Sequence, residues 1–279
     1  MAGRGVHGGA RDQGGAAGAV SAHPVLVTHI TPGAGRDRPS QRCVIGAPAL
    51  HLLPIAFVPE LPRSSRMPFR STAEIVHAWV HGWVVSRGAA DPVPRPWGFT
   101  VDVGQVKHAT RHVLTADDEA TVRKVAAEVA APTVWLKVFA DPDRVLEWAG
   151  PEWAVDEPGW LMATELRRTP TAVPAGYTLR TWTRGGVVRA LVVGPDGSFA
   201  ARAQIAPTGR TAVVDQVETA PEHRRKGLGR LVMHTLHNAA LDHGARVGVL
   251  GGTPDGRALY ESLGWRTHAP LVSLCHRPA

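Results

Sequence analysis

The residues of this 279-residue chain with the strongest claim to chemistry lie in one stretch. Val213-Val214-Asp215-Gln216-Val217-Glu218-Thr219 reads as a strand. Ala220-Pro221-Glu222-His223 follows, and then Arg224-Arg225-Lys226-Gly227-Leu228-Gly229-Arg230 opens a helix. A helix N-terminus leaves backbone N–H groups unpaired and carries partial positive charge. A turn of successive N–H groups there is a site for a diphosphate. Gly227 and Gly229 lack a Cβ, so the main chain can approach phosphates closely. Arg224, Arg225, Lys226 and Arg230 raise the local potential. Cations at that end oppose the helix dipole at a cost of roughly 0.3–1 kcal/mol each, which is offset when a polyanion sits there.

The elements that must position this turn can be read on both sides of it. Upstream are strand-like runs Tyr177–Thr183, Val187–Val193, Ser198–Ile205 and Thr211–Glu218, with turns at Gly194-Pro195-Asp196-Gly197 and Pro207-Thr208-Gly209. Downstream come a helix near Leu228–His243, a buried strand Val247–Leu250, a helix near Gly256–Leu263 and a strand near Leu271–Cys275. On the first of these helices Leu228, Val232, Leu236 and Ala239 mark the buried stripe, which leaves His234 and Asn238 outward.

Asp255-Gly256-Arg257-Ala258-Leu259-Tyr260-Glu261-Ser262-Leu263-Gly264-Trp265 adds a second pattern. Arg224-x-x-Gly227-x-Gly229 resembles motif A of the GNAT N-acetyltransferase superfamily, which reads Gln/Arg-x-x-Gly-x-Gly/Ala. The second segment is similar to that family's Asn-x-x-Ala-Leu-Tyr-x-x-Leu-Gly-Phe. The two occur in family order, one helix and one strand apart, and the resemblance covers about residues 176–279. It implies an α/β (α+β) protein whose mixed, mostly antiparallel sheet is flanked by helices. It also implies acetyl-CoA as co-substrate and transfer of an acyl group to an amine. The backbone of Val217 and Thr219 would pair with the pantetheine arm. Arg224, Arg225, Lys226, Gly227, Leu228, Gly229 and Arg230 would hold the diphosphate. Asp255 stands where the family usually has the Asn that meets the CoA side. Tyr260 matches the tyrosine that commonly protonates the departing thiolate.

An alkyl amine with a pKa of about 10.4 is mostly protonated at neutral pH, a deficit of about 4.6 kcal/mol. A base or a water chain must remove a proton. In the family the base is often an acid on the strand entering the loop. Side chains alternate along a strand, so Asp215 and Glu218 are expected on opposite faces, and Glu218 is the preferred base. His223, in the loop, reads as exposed rather than catalytic.

The chain departs from the family in one place. Only Arg184-Gly185-Gly186 separates the first two strand runs of this region. The two helices that normally shape the acceptor side cannot fit there. Residues 67–170 are the candidate to supply that wall, or else form a degenerate second acetyltransferase-like unit. They read as an N-terminal α+β domain. Ser71-Thr72-Ala73-Glu74 has capping-box spacing, and Ile75, Val76, Trp79, Val80, Trp83 and Val84 form a stripe that Gly88 ends. Strand-like runs follow at Trp97–Val103 and His108–Leu114. Thr115 caps a helix over about Asp117–Ala130, Thr133–Ala140 is a strand, Asp141-Pro142 opens a helix to Trp148, and Leu161–Leu166 is a strand. Seven of the nine Trp lie between 79 and 160, which implies a packed core. Pro170–Pro174 is the expected domain boundary, with the acetyltransferase domain over 175–279.

Residues 1–66, rich in Gly, Ala, Arg, Pro and Ser, read as a disordered extension, and Met67 is a candidate natural start. Seven Arg against three acids in that stretch carry much of the net charge of +7. A nucleic-acid-binding reading therefore rests on the tail alone, since no recognition-helix pattern supports it. A non-catalytic acyl-CoA-binding module is the other alternative. The pairs His77/His81, His108/His112 and His234/His237 lack a third ligand at metal spacing, so no metal is expected. Cys43 and Cys275 fit no disulfide framework. No membrane or secretory segment is read, and a cytoplasmic protein is expected. The acceptor, small-molecule or peptide, and the oligomeric state are not encoded in any motif.

Overall fold

The structure, a computed structural model, describes residues 69–156 and 158–277. The expected leader 1–66 and the candidate start Met67 lie outside the described residues.

The chain opens with helix α1 (Thr72–Arg87). Ser71 caps it by accepting a hydrogen bond from the Glu74 N–H, while Glu74 reaches back to the Arg70 N–H rather than to that of Ser71. Gly88 ends it in the left-handed region, φ 61°, which a Cβ would resist. Short strand β1 (Val93–Arg95) leads to the hairpin β2 (Gly98–Gln105) and β3 (His108–Leu114). Helix α2 (Glu119–Glu128) is capped by Asp118, not by the expected Thr115. Strand β4 (Val134–Val138), helix α3 (Pro142–Ala149) capped by Asp141, and strands β5 (Trp153–Val155) and β6 (Gly159–Glu165) complete the first half. The second half runs β7 (Thr178–Arg184), β8 (Val187–Val193), β9 (Phe199–Thr208), β10 (Thr211–Thr219), a 3-10 turn Pro221–His223, α4 (Leu228–Asp242), β11 (Val247–Gly252), α5 (Pro254–Ser262) and β12 (Arg266–His276). Strands β1 and β5 are too short to leave a periodic signal in the sequence.

The expected break at Pro170–Pro174 does not separate two bodies. All described residues fall in one compact unit, and the strands form a single 12-stranded sheet in the order β1-β2-β3-β4-β12-β6-β11-β10-β9-β8-β7, with β5 also on β12. Pairing is antiparallel except between β3 and β4 and between β10 and β11. The reason for the unity is strand exchange between the halves. β6, from the first half, pairs along β11 on one side and β12 on the other. β12, from the last residues, continues past β6 to pair with β4 and β5. Neither half has a complete sheet without the other.

Helix α1 lies on β9, β10 and β11. Its Ile75, Val76, Trp79, Val80, Trp83 and Val84 share a core with Val213, Val249, Leu161 and Leu271. It thereby covers the face that the tight β7–β8 hairpin leaves open, where Gly185 and Gly186 both take positive φ and leave no room for a helix. On the opposite face α4 and α5 pack on β8–β11, and α2 and α3 pack on β3, β4 and β12. The α4 stripe is wider than expected. His237 is buried with it, 5% exposed, and Ala239 is only half-buried.

Two predictions follow from this packing. A Cβ on Gly82 of α1 would lie 2.3 Å from Val213 Cγ2. Gly82→Ala improves helix propensity by about 1 kcal/mol, but forcing a stiff β-branched neighbour aside costs about 1–3 kcal/mol. Denaturant titration should show a net loss, recovered when Val213→Ala is added. Burial of His237, with the charge of His234 second, lowers its pKa from 6.5 to about 4. The folded state then binds fewer protons than the unfolded one between those values. The stabilisation is present above pH 6.5 and is lost as pH falls towards 4. His237→Gln should flatten that part of the stability–pH curve; an unchanged slope would remove His237 as its cause.

Candidate functional site

The site forms where β10 and β11 part. Their parallel ladder joins only Thr211–Val213 to Val247–Val249. Beyond it β11 stays with β6 and β10 stays with β9, so the facing edge of β10 from Val214 to Thr219 carries main-chain groups with no strand opposite. β10 is also bulged. Asp215 pairs with Gln204 and Glu218 with Arg202, three residues against two, and Gln216 in the bulge has φ 53°. The extra residue resets the alternation. Gln204 and Arg202, two apart on β9, share a face, so Asp215 and Glu218 share it too. The expectation that they point oppositely fails for this reason.

Both carboxylates are on the α1 face, and both are engaged. Asp215, 13% exposed, takes Arg87 Nη2 at 2.9 Å as well as Arg87 Nε, and accepts from Ser86 Oγ at 3.0 Å. Gln204 Nε2 donates to Ser86 O and Oγ, each at 2.7 Å. The C-terminal end of α1 is thus fastened to the bulge. Glu218 is half-exposed and paired with Arg202 at 2.8 Å. It borders two hollows: the cleft described next, and a hollow of about 510 Å³ on the α1 face with Trp182, Arg189, Phe199 and Gln216 in its walls.

The main cleft, about 780 Å³, gathers Val217, Glu218, Thr219, Arg224, Arg225, Gly227, Leu228, Gly229, Arg230, Asp255 and Tyr260. Among the expected cofactor-side residues only Lys226 is not in its wall; its Nζ turns back to the Glu222 carbonyl at 2.9 Å. The turn is shaped by two left-handed residues, Arg225 at φ 61° and Gly227 at φ 78°. Gly227 is the N-cap of α4 and supplies no side-chain cap; the first helical bond runs from the Leu231 N–H to the Gly227 carbonyl. The N–H groups ahead of Leu231 therefore open on the cleft without a side chain plugging them. Gly229 serves packing as well, since a Cβ there would meet Leu259 at 2.9 Å. Asp255, in the first turn of α5, faces Arg224 across the cleft at 4.0 Å. Both are well exposed, so the pair contributes little and an incoming anion can displace it.

Tyr260 is 6% exposed and lies over Gly256, where a Cβ would come within 2.7 Å of the ring. Burial first, and the charge of Asp215 second, push its pKa up to about 12. It holds its proton at neutral pH and can donate it. His223 is not the exposed loop residue expected. It is half-buried, with Nδ1 3.0 Å from the Tyr177 hydroxyl and Nε2 3.1 Å from Ser198 Oγ, so both nitrogens hold the loop against β7 and the β8–β9 turn. The paired histidines are aromatic packing partners. His77 and His81 lie 4.4 Å apart beside Phe99, and His108 stacks on Trp135 at 4.9 Å. Among the described residues no group of three or more His, Cys, Asp or Glu could hold a metal ion. No described helix is long and apolar enough to cross a membrane.

Sequence reasoning missed Arg87, Ser86 and Gln204. Arg87 reads as an ordinary basic residue at a helix C-terminus, and its partner is 128 positions away; no spacing rule links them.

Comparison with known proteins agrees with this geometry. The family model described as "Acetyltransferase (GNAT) family" matches residues 143–265, beginning earlier than the motifs suggested. A GCN5-related N-acetyltransferase from Kribbella flavida is similar over 76% of this chain and 98% of its own, at 20% identity and TM-score 0.55. A GNAT-family protein from Novosphingobium aromaticivorans is similar over 73% and 97%, at 19% identity and TM-score 0.47. One from Sphaerobacter thermophilus is similar over 65% and 77%, at 14% identity and TM-score 0.46. No curated protein matches the sequence. Residues 143–265 thus match the GNAT acetyltransferase family model, within a sheet to which both halves of the chain contribute.

Proposed function

We propose that this protein is an acetyl-CoA-dependent N-acetyltransferase in which an amine attacks the thioester directly, with both substrates bound together. The observation that carries the reading is the uncapped N-terminus of α4, opening through left-handed Gly227 onto a cleft bounded by the unpaired edge of β10. The N–H groups of residues 225–230, reinforced by Arg224, Arg225 and Arg230, suit a diphosphate. The free edge of β10 at Val217 and Thr219 suits an amide-bearing arm lying as an extra strand.

In this reading the main-chain N–H groups of the β10 edge polarise the thioester carbonyl, and juxtaposition of the two reactants supplies much of the rate. The amine nitrogen bonds to the carbonyl carbon, the C–S bond breaks, and the thiolate takes a proton from the Tyr260 hydroxyl. Glu218 is the proposed base. It stands where the cofactor cleft meets the α1-face hollow, and it can take the amine proton directly or through water. Asp215, locked by Arg87 and Ser86, is a structural anchor. The two cysteines at distant positions and the thioester co-substrate favour a cytoplasmic setting.

Tyr260→Phe tests the proton donor. Turnover should fall about 100-fold, the lower end of general acid–base contributions, while the Kd for CoA measured by calorimetry stays unchanged; equal turnover would remove Tyr260 from the reaction. Gly227→Val tests the turn. Holding a branched residue at φ 78° costs about 1–2 kcal/mol, so the Kd for acetyl-CoA should rise about tenfold. Thermal stabilisation by CoA without thiol release on any amine would instead favour a non-catalytic acyl-CoA-binding module.

A further inference from the structure

The α1 face carries a second cluster that the acetyl-transfer machinery does not use. Arg111 of β3 and Lys137 of β4 are each only 8% exposed. Both point to the α1 side, since their neighbours Val113 and Phe139 belong to the core under α1. Among the described residues no carboxylate lies within ion-pair distance of either. Arg111 has its guanidinium 3.8 Å above the Trp83 ring and 5.9 Å from that of Trp79. Its one protein hydrogen bond among the described residues runs from Nε to His108 Nε2 at 3.3 Å. Lys137 lies 5.1 Å from the Trp135 ring and donates to Ser273 Oγ. Burial pulls the pKa of both cations down, to about 9 for Arg111; cationic neighbours depress each further, and the more distant charges of Asp215 for Arg111 and Asp156 for Lys137 offset part of this. Burial together with Arg111 and Lys137 pulls that of His108 to about 3, so His108 is a neutral acceptor.

Two buried cations with no ion-paired carboxylate among the described residues are an unfavourable use of a core. Apolar residues of the same size would be more stable there. The remaining N–H donors of the Arg111 fork match the two oxygens of a carboxylate, and Lys137, with its partner Ser273, lies on the same face of the neighbouring strand, two positions along the register. The cluster is continuous with the transfer site. Arg87, which grips Asp215 at the β10 bulge, lies 5.8 Å from the same Trp83 ring that Arg111 covers. The charge of Asp215 is felt both by Arg111 and by Tyr260. The sheet register agrees. Lys137 is opposite Ser273, and two residues before it on β12 Leu271 pairs with Gly159 of β6, at the end where β11 leaves β10.

We propose that the Arg111–Lys137 pair, walled by Trp79, Trp83 and Trp135, binds the carboxylate of the amine acceptor, so that the acceptor is an amine carrying a carboxylate a few bonds from its nitrogen. The assignment rests on the acetyltransferase reading for the amine. The carboxylate site itself stands on the buried cations.

The test compares 4-aminobutyrate, n-butylamine and 3-aminopropylphosphonate as acceptors for the full-length protein with acetyl-CoA. 4-Aminobutyrate should show at least a tenfold higher kcat/KM than n-butylamine, with the difference in KM. Lys137→Met and Arg111→Met should bring that ratio close to one without moving the Kd for acetyl-CoA. Lys137→Met should also raise the Tm of the free protein, because it relieves a buried charge, and should abolish the Tm increase that 4-aminobutyrate gives the wild type. Equal use of the two amines, a ratio unchanged in both variants, or preference for the phosphonate would overturn the proposal. The Tm shift decides the matter if no acceptor turns over: its absence from the wild type also overturns the carboxylate site. Failure to bind acetyl-CoA, read separately by calorimetry, would sink the acetyltransferase reading and leave the carboxylate site to be judged on the Tm shift.

Discussion

The separation of β10 from β11 is the constraint on which the site depends. Parallel neighbours normally bond along their full length, because a buried unpaired amide or carbonyl costs about 1–3 kcal/mol. Here the ladder stops after three pairs, and every feature that follows keeps it open. The bulge at Gln216 turns the end of β10 towards β9. β6 holds β11 on the other side. The 3-10 turn and the left-handed pair Arg225 and Gly227 then bring the chain back as α4, with its N-terminus at the mouth of the gap. The strand edge and the helix end offer main-chain donors from two directions to one cleft.

Helix α1 makes the gap tolerable on the other face. It fills the space that the two-glycine β7–β8 turn cannot, and its last turn ties the bulge through Arg87, Ser86 and Gln204. The bidentate Arg87–Asp215 contact is partly sheltered from water, so it is worth more than an exposed ion pair, for which a median of about 0–1 kcal/mol is usual. The same contact engages both oxygens of Asp215, whereas Glu218 stands at the junction of the two hollows.

The exchange of strands gives the first half of the chain a direct part in the second. β6 separates β11 from β12, and β12 runs on to β4. Through that pairing Arg111 and Lys137, from strands far from the acetyltransferase motifs in sequence, reach the α1 side of the site. The many tryptophans between 79 and 160 have a corresponding role. Trp79 and Trp83 both fill the core and flank Arg111, while partly exposed Trp135 flanks Lys137.

The sequence alone determined the local structure well. The capped stripe of α1, the strands β2 and β3, the four strands after residue 176, the glycine turn and the Ala-Leu-Tyr helix are all consequences of short-range rules: side-chain period, turn residues and caps. The same rules located the glycine turn at the N-terminus of α4, and the resemblance to the GNAT motifs pointed to Tyr260, because a helix N-terminus and a motif are each contiguous in the chain. Tertiary structure decided what depends on contacts between distant residues. A single bulged residue reversed the face expected for Asp215 or Glu218, and nothing in an alternating pattern reveals a positive φ at Gln216 before pairing with β9 is known. The two expected domains became one sheet because strand partners are chosen by complementary edges across the whole chain, not by the proline-rich connector between them. Nothing in the sequence singled out Arg87, Arg111 or Lys137; folding sheltered the first and buried the other two.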